Sequence, residues 1–94
     1  MNKFLAVNKS YLNSDLQPID ILILSQVAEF SRNQCDCCLT NEQLSKMFGA
    51  TLYAVKTSLD KLENRKYITR SIVYVEGHGR ANKQRLIKLT EPQN

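Results

Sequence analysis

Length, composition and charge limit what this chain can be. Its 94 residues fit one domain, and contents of 43% hydrophobic and 23% charged residues argue against global disorder. No apolar run approaches the roughly 20 residues of a membrane-spanning helix, and residues 1–7 lack the long apolar segment of a secretion signal, so we predict a cytoplasmic protein. The net charge of +4 lies in the C-terminal half, because residues 1–51 carry −1, residues 52–66 carry +2 and residues 67–94 carry +3.

The first predicted elements are an extended segment at residues 3–7 and a helix over about residues 18–31. Pro18 suits the first turn of a helix, where a missing N–H has no partner to lose. Apolar residues cover more of this helix than one buried face requires, so we expect it to be covered on more than one side. These residues are Ile19, Ile21, Leu22, Ile23, Leu24, Val27, Ala28 and Phe30.

Two shorter helices follow, separated by a tight turn. Thr40 and Gln43 have the spacing of a capping box, and the second helix runs from there to Phe48. Gly49 supplies the left-handed residue that ends this helix, and Thr51 caps a third helix. The predicted apolar sides are Leu44, Met47 and Phe48 on the second helix, and Leu52, Val55, Leu59 and Leu62 on the third.

The C-terminal third of the chain predicts a β-hairpin. Residues 67–75 are rich in the β-branched and aromatic side chains that favour strands. Residues 76–83 contain two glycines and are typical of a long turn, and residues 84–89 form the second predicted strand. Residues 90–94 are a polar tail. The expected fold class is therefore α+β, with three helices followed by a two-stranded hairpin.

Three cysteines lie close together, at Cys35, Cys37 and Cys38. An odd set at this spacing is a poor disulfide framework and suits a reducing compartment. A zinc site needs a fourth ligand, and the single histidine, His78, lies 40 residues beyond Cys38. We therefore interpret the cysteines as structural or incidental and predict no metal and no other cofactor.

The sequence gives catalysis little support. It has one histidine, no Gly-x-Ser-x-Gly motif, no phosphate-binding loop and no pairing of acidic residues suited to a general acid and base. Gly77-His78-Gly79 is typical of a hairpin tip. We predict that the chain has no catalytic residues and is not an enzyme.

The order of helix, short helix, tight turn, longer helix and hairpin resembles the winged helix-turn-helix family. The resemblance depends on residues 44–68, where Ser45 lets two helices approach and Gly49 makes the turn. Thr51 and Val55 then begin the helix that family members use for recognition. The matching residues after them are Leu59, Leu62, Arg65, Tyr67 and Ile68. With the first helix and the hairpin, the resemblance covers roughly residues 4–89 of a single domain that spans 1–94.

This chain departs from the family pattern after the third helix. The family often has glycine there, and this chain has Lys66. Left-handed geometry costs a lysine about 1 kcal/mol, so we expect the exit from the helix to differ from the usual one. The domain is similar to those of small bacterial repressors and of phage or plasmid replication and transfer proteins.

The resemblance implies that the third helix, residues 51–65, enters the DNA major groove and that the basic hairpin, residues 70–88, contacts DNA beside it. Helix candidates are Thr51, Tyr53, Lys56 and Thr57, and Asp60 opposes binding because phosphate repels a carboxylate. Hairpin candidates are Arg70, His78, Arg80, Asn82, Lys83 and Arg85. Charge on the helix nearly cancels, so we predict that the hairpin contributes at least as much DNA affinity as the helix.

The predicted function is site-specific binding of double-stranded DNA, as an accessory factor of plasmid or phage replication or transfer or as a small transcriptional regulator. A protein partner in a replication or transfer complex is expected, and no ligand-sensing module. The surplus apolar surface of the first helix, with residues 4–7, predicts a homodimer that binds two half-sites. The alternative to that dimer is an N-terminal strand that covers its own helix. The alternative function is a protein-interaction module without DNA binding.

Overall fold

The computed structural model describes residues 15–77 and 80–90, without the side chains of residues 76, 77, 80 and 81. Over this part of the chain, three helices precede a two-stranded antiparallel hairpin, which confirms the predicted α+β, winged-helix-like layout. The helices are α1 (Pro18–Arg32), α2 (Asn41–Phe48) and α3 (Leu52–Asn64), and the strands are β1 (Ile68–Gly77) and β2 (Arg80–Leu89). None of the described helices is long and apolar enough to cross a membrane. The predicted segment at residues 3–7 and the end of the polar tail lie outside the described residues.

The predicted caps of α2 and α3 are present. Thr40 Oγ1 accepts a hydrogen bond from the Gln43 N–H at 3.1 Å, while Gln43 Oε1 accepts one from the Thr40 N–H at 2.8 Å, which confirms the capping box. Gly49 ends α2 in the left-handed region, at φ 64°. Thr51 Oγ1 accepts a hydrogen bond from the Ala54 N–H at 3.0 Å. Local sequence signals therefore set where these helices begin and end.

One hydrophobic core joins the three helices to the hairpin. Its members are Leu16, Ile23, Leu24, Val27, Cys37, Leu44, Val55, Leu59, Leu62, Ile68 and Ile87. On α1 the consecutive residues Ile23, Leu24 and Ser25 are all buried. Three consecutive residues span about 200° of a helix, so the prediction that this helix is covered on more than one side is confirmed. The exposed large apolar side chains of the described residues lie on α2, α3 and β1, and none lies on α1.

Two residues predicted to face the core are exposed instead. Met47 is 48% exposed and Leu52 is 49% exposed. Met47 lies about 60° around α2 from the buried Leu44, and Leu52 lies about 60° around α3 from the buried Val55. Leu52 is also the first residue of α3, and side chains in a helix lean toward its N-terminus, so this one points beyond the packed part of the helix. The apolar side predicted for these two helices was therefore wider than the side that is buried in the structure.

A buried carboxylate joins the start of α1 to the middle of α3. Asp20 is 1% exposed. It accepts hydrogen bonds from Ser58 Oγ at 2.5 Å, Lys61 Nζ at 2.7 Å and the Gln17 N–H at 2.8 Å. Burial raises the pKa of Asp20, and the hydrogen bonds from Lys61, Ser58 and Gln17 outweigh it and leave the pKa below its usual value. This cluster sets how α3 lies against α1.

The hairpin has longer strands and a shorter connection than predicted. Its register runs from Ile68 opposite Leu89 to Gly77 opposite Arg80. The predicted long turn at residues 76–83 is wrong, because residues 80–83 belong to β2 and only residues 78 and 79, outside the described residues, separate the strands. The polar side chains of that segment suggested a loop. Main-chain pairing across from β1 holds it in a strand in spite of its low β propensity.

The segment after α1 pairs with β2 at a single residue, on the edge of β2 that faces away from β1. Cys37 and Ile87 exchange main-chain hydrogen bonds at 2.8 and 3.2 Å, and both residues are fully buried. The sequence predicted only a loop here. A single bridge leaves no periodic pattern in the sequence, so this pairing can be recognised only from the position of its partner strand.

The exit from α3 has the left-handed geometry that a lysine was expected to avoid. Lys66 adopts φ 66°, in the left-handed region. The Lys66 N–H donates to the Glu63 carbonyl at 3.0 Å, and the Tyr67 N–H donates to the Leu62 carbonyl at 2.9 Å. The side chain of Lys66 is exposed, so only its backbone carries the strain.

Candidate nucleic-acid interface

The helix-turn-helix is held by hydrogen bonds across its turn. Ser45 Oγ donates to the Ala50 carbonyl at 2.5 Å, and the Ala50 N–H donates to the Ser45 carbonyl at 3.0 Å. Together with the left-handed Gly49, these bonds fix the position of Thr51, where α3 begins. The small side chain of Ser45, predicted from the sequence to let two helices approach, thus also bonds across the turn.

The first two turns of α3 present an exposed polar face. Thr51, Tyr53, Lys56 and Thr57 are all exposed, as predicted, and Tyr53 is the most open of them at 78%. The buried residues Val55, Ser58, Leu59 and Leu62 occupy the other side of the helix. An aromatic ring, an ammonium and two hydroxyls therefore share one accessible surface at the N-terminal end of a helix, where residues of recognition helices reach base edges.

Intramolecular ion pairs neutralise the acidic residues beside this face. Asp60 contacts Lys56 Nζ at 3.2 Å and Arg70 Nη2 at 2.9 Å, and Arg70 also contacts Glu63 at 2.6 Å. Hydrogen bonds from Arg70 and then Lys56 hold the pKa of Asp60 below its usual value, so it remains a carboxylate. Asp60 was expected to oppose binding, and the structure surrounds it with two cations.

Four side chains of β1 and four of β2 share the face of the hairpin that continues from the core, which we call the inner face. They are Ile68, Arg70, Ile72 and Tyr74 on β1, and Lys83, Arg85, Ile87 and Leu89 opposite them on β2. Of the predicted DNA contacts, Arg70, Lys83 and Arg85 therefore lie on one face. Asn82 is exposed on the opposite face, across from Val75.

Two of the three inner-face cations are engaged within the chain. Arg70 bonds the acids of α3, and Arg85 donates to Asn41 Oδ1 and the Leu39 carbonyl, both at 2.7 Å. Burial first, and then the charge of Arg70, lower the pKa of Arg85 from its ordinary value. Lys83 is exposed and has no ion pair among the described residues. The predicted contacts His78 and the side chain of Arg80 lie outside the described residues.

A cleft of about 410 Å³ separates the start of α2 from β2. It is lined by Cys38, Leu39, Thr40, Asn41, Glu42, Lys83, Gln84 and Arg85. The N-terminus of a helix carries partial positive charge, and two cations face it here across the cleft, with Glu42 as the opposing charge. Neither Asn41 nor this cleft was predicted from the sequence. The capping box at Thr40 located the helix start, but only the register of β2 brings Lys83 and Arg85 to it.

The cysteines do not form a common site. Cys37 is buried in the core, whereas Cys35 and Cys38 are exposed, and all three are free. Burial raises the pKa of the Cys37 thiol, which keeps it protonated. Within residues 15–77 and 80–90, no three His, Cys, Asp or Glu residues are arranged to hold a metal ion.

No protein-family model, curated protein or solved structure matches the chain. Its function therefore has to be inferred from the shape and charge of this surface.

Proposed function

We propose that this chain is a non-enzymatic, cytoplasmic protein that binds double-stranded DNA through the exposed face of α3. The observation that carries the proposal is the accessible N-terminal end of this helix, where Tyr53, Lys56 and Thr57 all point away from the core. An α-helix fits the B-DNA major groove, and lysine and hydroxyl side chains contact phosphates and bases there. The charge of residues 52–94, +5 in total, favours a polyanion.

The hairpin is proposed to contact the DNA backbone or minor groove beside α3. Lys83 supports this role, because it is exposed and free of ion pairs in the described part of the chain. Arg85 holds β2 against α2, so its contribution is expected to be the position of Lys83 near the helix N-terminus. Arg70 in the same way ties the hairpin to α3. The proposal that the hairpin supplies at least half of the affinity thus depends on Lys83 and Arg80.

The proposed biological role is to mark a DNA site as an accessory factor of plasmid or phage replication or transfer, or as a small transcriptional regulator. The family resemblance supports this role, and a protein partner in such a complex remains part of the proposal. Both roles require affinity for duplex DNA, and this affinity is expected to fall as the salt concentration rises.

Titration with duplex DNA at 50 and 200 mM salt tests the proposal. Each phosphate contact steepens the slope of log affinity against log salt by about 0.9, so several contacts predict a loss of at least tenfold between these concentrations. Tyr53→Ala and Lys56→Ala, and the pair Arg80→Ala and Lys83→Ala, are each expected to weaken binding by about 1–3 kcal/mol per side chain that reaches a base edge.

Arg32→Ala is the matched control, because it removes one cation of α1 that is paired with Glu29 and leaves the proposed surface intact. Affinity that is independent of salt would contradict DNA binding, and equal affinity of all variants and the control would contradict the proposed surface. If the α3 variants abolish binding while the Arg80/Lys83 double variant binds like the unaltered chain, the helix carries the interaction and the hairpin does not.

A protein-interaction surface is the second candidate function, and one observation favours it. Met47 and Leu52 are half-exposed on either side of the turn before α3, and exposed apolar side chains at such a position suit a protein partner. In that case the unaltered chain would show no salt-dependent affinity for duplex DNA, and Met47→Gln would abolish binding of the protein partner. The DNA titration therefore distinguishes the two functions.

A further inference from the structure

The two strands of the hairpin differ in how their edges are covered. β2 pairs with β1 on one side and with Cys37 on the other, through the bridge at Ile87. β1 pairs with β2 only, so its other edge has no strand partner among the described residues. This edge is ten residues long, from Ile68 to Gly77, and contains no proline or lysine. Proteins normally protect an edge of this kind, because it is a template for pairing with another chain.

The bridge at Ile87 shows which main-chain groups point out of that edge. Ile87 directs its N–H and its carbonyl to Cys37, away from β1, so its opposite residue Arg70 is at a position that does not bond β2. Bonded and non-bonded pairs alternate along an antiparallel ladder. The N–H and carbonyl groups of residues 70, 72, 74 and 76 therefore face outward.

The same strand carries three of the exposed large apolar side chains. Tyr74 is 68% exposed and Ile72 is 53% exposed on the inner face, and Val75 is exposed on the other face. Apolar side chains and outward-facing main-chain groups thus occur together on one edge, which is the combination found where a sheet continues into a neighbouring strand.

We propose that a second copy of this chain occupies the edge, with β1 pairing antiparallel to β1 in a two-fold dimer. Only registers that place even-numbered residues opposite even-numbered residues match both the outward main-chain groups and the faces of the sheet. The register centred on Val73 places Ile72 opposite Tyr74 in both halves of the interface. Aromatic side chains pair well with β-branched ones across strands.

The neighbouring registers pair fewer of the exposed apolar side chains on the inner face. Centring the pair on Ile72 or on Tyr74 places that one residue opposite its own copy and removes both pairings of Ile72 with Tyr74. A self-pairing strand needs residues that complement each other at equal distances from one centre. In β1 that centre is Val73.

The proposed dimer has a consequence for the position of α3. The two-fold axis that relates adjacent antiparallel strands is perpendicular to their sheet, so both inner faces lie on the same side of the four-stranded sheet. Each α3 is tied to its inner face through Arg70. Both copies of α3 then lie on one side of the dimer. The pairing itself does not rest on DNA binding, and it is tested without DNA.

Disulfide trapping tests the register. Val73 would face its own copy at a non-bonded position, where Cα atoms lie about 4.5 Å apart, within the range of about 4.4–6.8 Å that a disulfide spans. We expect Val73→Cys, with the exposed Cys35 and Cys38 changed to serine, to form a covalent dimer on mild oxidation. Ser71→Cys is the matched control, because the two copies of residue 71 would lie four residues apart, about 13 Å. Equal cross-linking of both variants, or of neither, would overturn the proposed register.

Sedimentation velocity without DNA tests the interface independently of cross-linking. We expect a dimer at tens of micromolar, and at least a tenfold rise in its dissociation constant for Tyr74→Lys. Gln84→Lys adds the same charge at an exposed position on β2 and should remain dimeric. A monomer at this concentration would overturn the proposal, and so would equal dimerisation of the two lysine variants. The latter result would indicate a dimer interface at α1 and the N-terminal segment instead.

Discussion

Replacing Asp20 with alanine tests the buried cluster that joins α1 to α3. The change removes a carboxylate that accepts three hydrogen bonds, from Ser58, Lys61 and the Gln17 N–H, at 2.5 to 2.8 Å. It leaves the Ser58 hydroxyl buried without this partner and the Lys61 ammonium without its counter-ion. Both side chains belong to α3, so the loss acts on the packing of the helix proposed to contact DNA.

The expected loss of stability is about 2–4 kcal/mol. Removing one partner of a buried ion pair costs about 3–5 kcal/mol when the other charge remains buried. The Lys61 side chain is 24% exposed, so its ammonium regains water, and the expected loss is reduced to about 2–4 kcal/mol. Asp20→Asn retains an acceptor for the Ser58 hydroxyl and is expected to cost about 1–2 kcal/mol.

Unfolding in urea at pH 7 measures this loss. The control is Asp15→Ala, which removes an exposed ion pair between Asp15 and Arg65 and should leave the free energy of unfolding unchanged. A thermal scan gives a second measure, since a loss of about 2 kcal/mol lowers the melting temperature of a domain this size by roughly 8–16 °C. If Asp20→Ala is as stable as Asp15→Ala, the cluster does not stabilise the packing of α1 on α3.

The contribution of Asp20 to the free energy of unfolding is expected to depend on pH. The pKa of Asp20 in the folded chain lies below its ordinary value, because the hydrogen bonds that it accepts outweigh the effect of burial. Its stabilisation is therefore complete above the unfolded pKa of about 3.9 and is lost as the pH falls through the folded pKa. The difference in unfolding free energy between the unaltered chain and Asp20→Asn should shrink below about pH 4, and a constant difference would contradict this assignment.

Two further predictions concern single positions outside the DNA surface. Cys37→Ser places a hydroxyl in the core and is expected to cost about 1–3 kcal/mol in urea unfolding, whereas Cys35→Ser, at an exposed site, should be neutral; equal stabilities would show that Cys37 is not packed as described. Lys66→Gly relieves a left-handed backbone at φ 66° and should stabilise the chain by about 0.5–1 kcal/mol after the greater entropy of unfolded glycine is counted. A destabilised Lys66→Gly variant would mean that the strain is absent.

The elements of the fold were predictable because their signals are local. Thr40 and Gln43 bond each other's backbone across one helical turn, and Gly49 ends α2 through its own φ angle, so neither feature needs the rest of the protein. The periodic apolar residues of α3 likewise identified its buried side at Val55, Leu59 and Leu62. The exposed polar face of α3, from Thr51 to Thr57, followed from the same pattern.

The sequence could not predict what depends on distant partners. Asp20 meets Ser58 and Lys61 across 38 and 41 residues, and nothing in its own neighbourhood marks it as buried. Arg70 and Arg85 were indistinguishable from other basic residues of the hairpin until pairing placed both on the inner face, where one bonds the acids of α3 and the other bonds α2.

Local composition was misleading where the main chain decides the structure. The polar residues between Gly77 and Lys83 predicted a long turn, but ladder hydrogen bonds depend on the opposite strand more than on side-chain type, and the strands continue. The apolar character of Met47 and Leu52 predicted that both belong to the core, but the packed helices leave both about half exposed. The sequence by itself determined the helices, their caps and the exposed face of α3, because each depends on neighbours within one or two turns. The tertiary structure decided which charges are neutralised and which strand edge is open, because those depend on contacts between segments far apart in the chain.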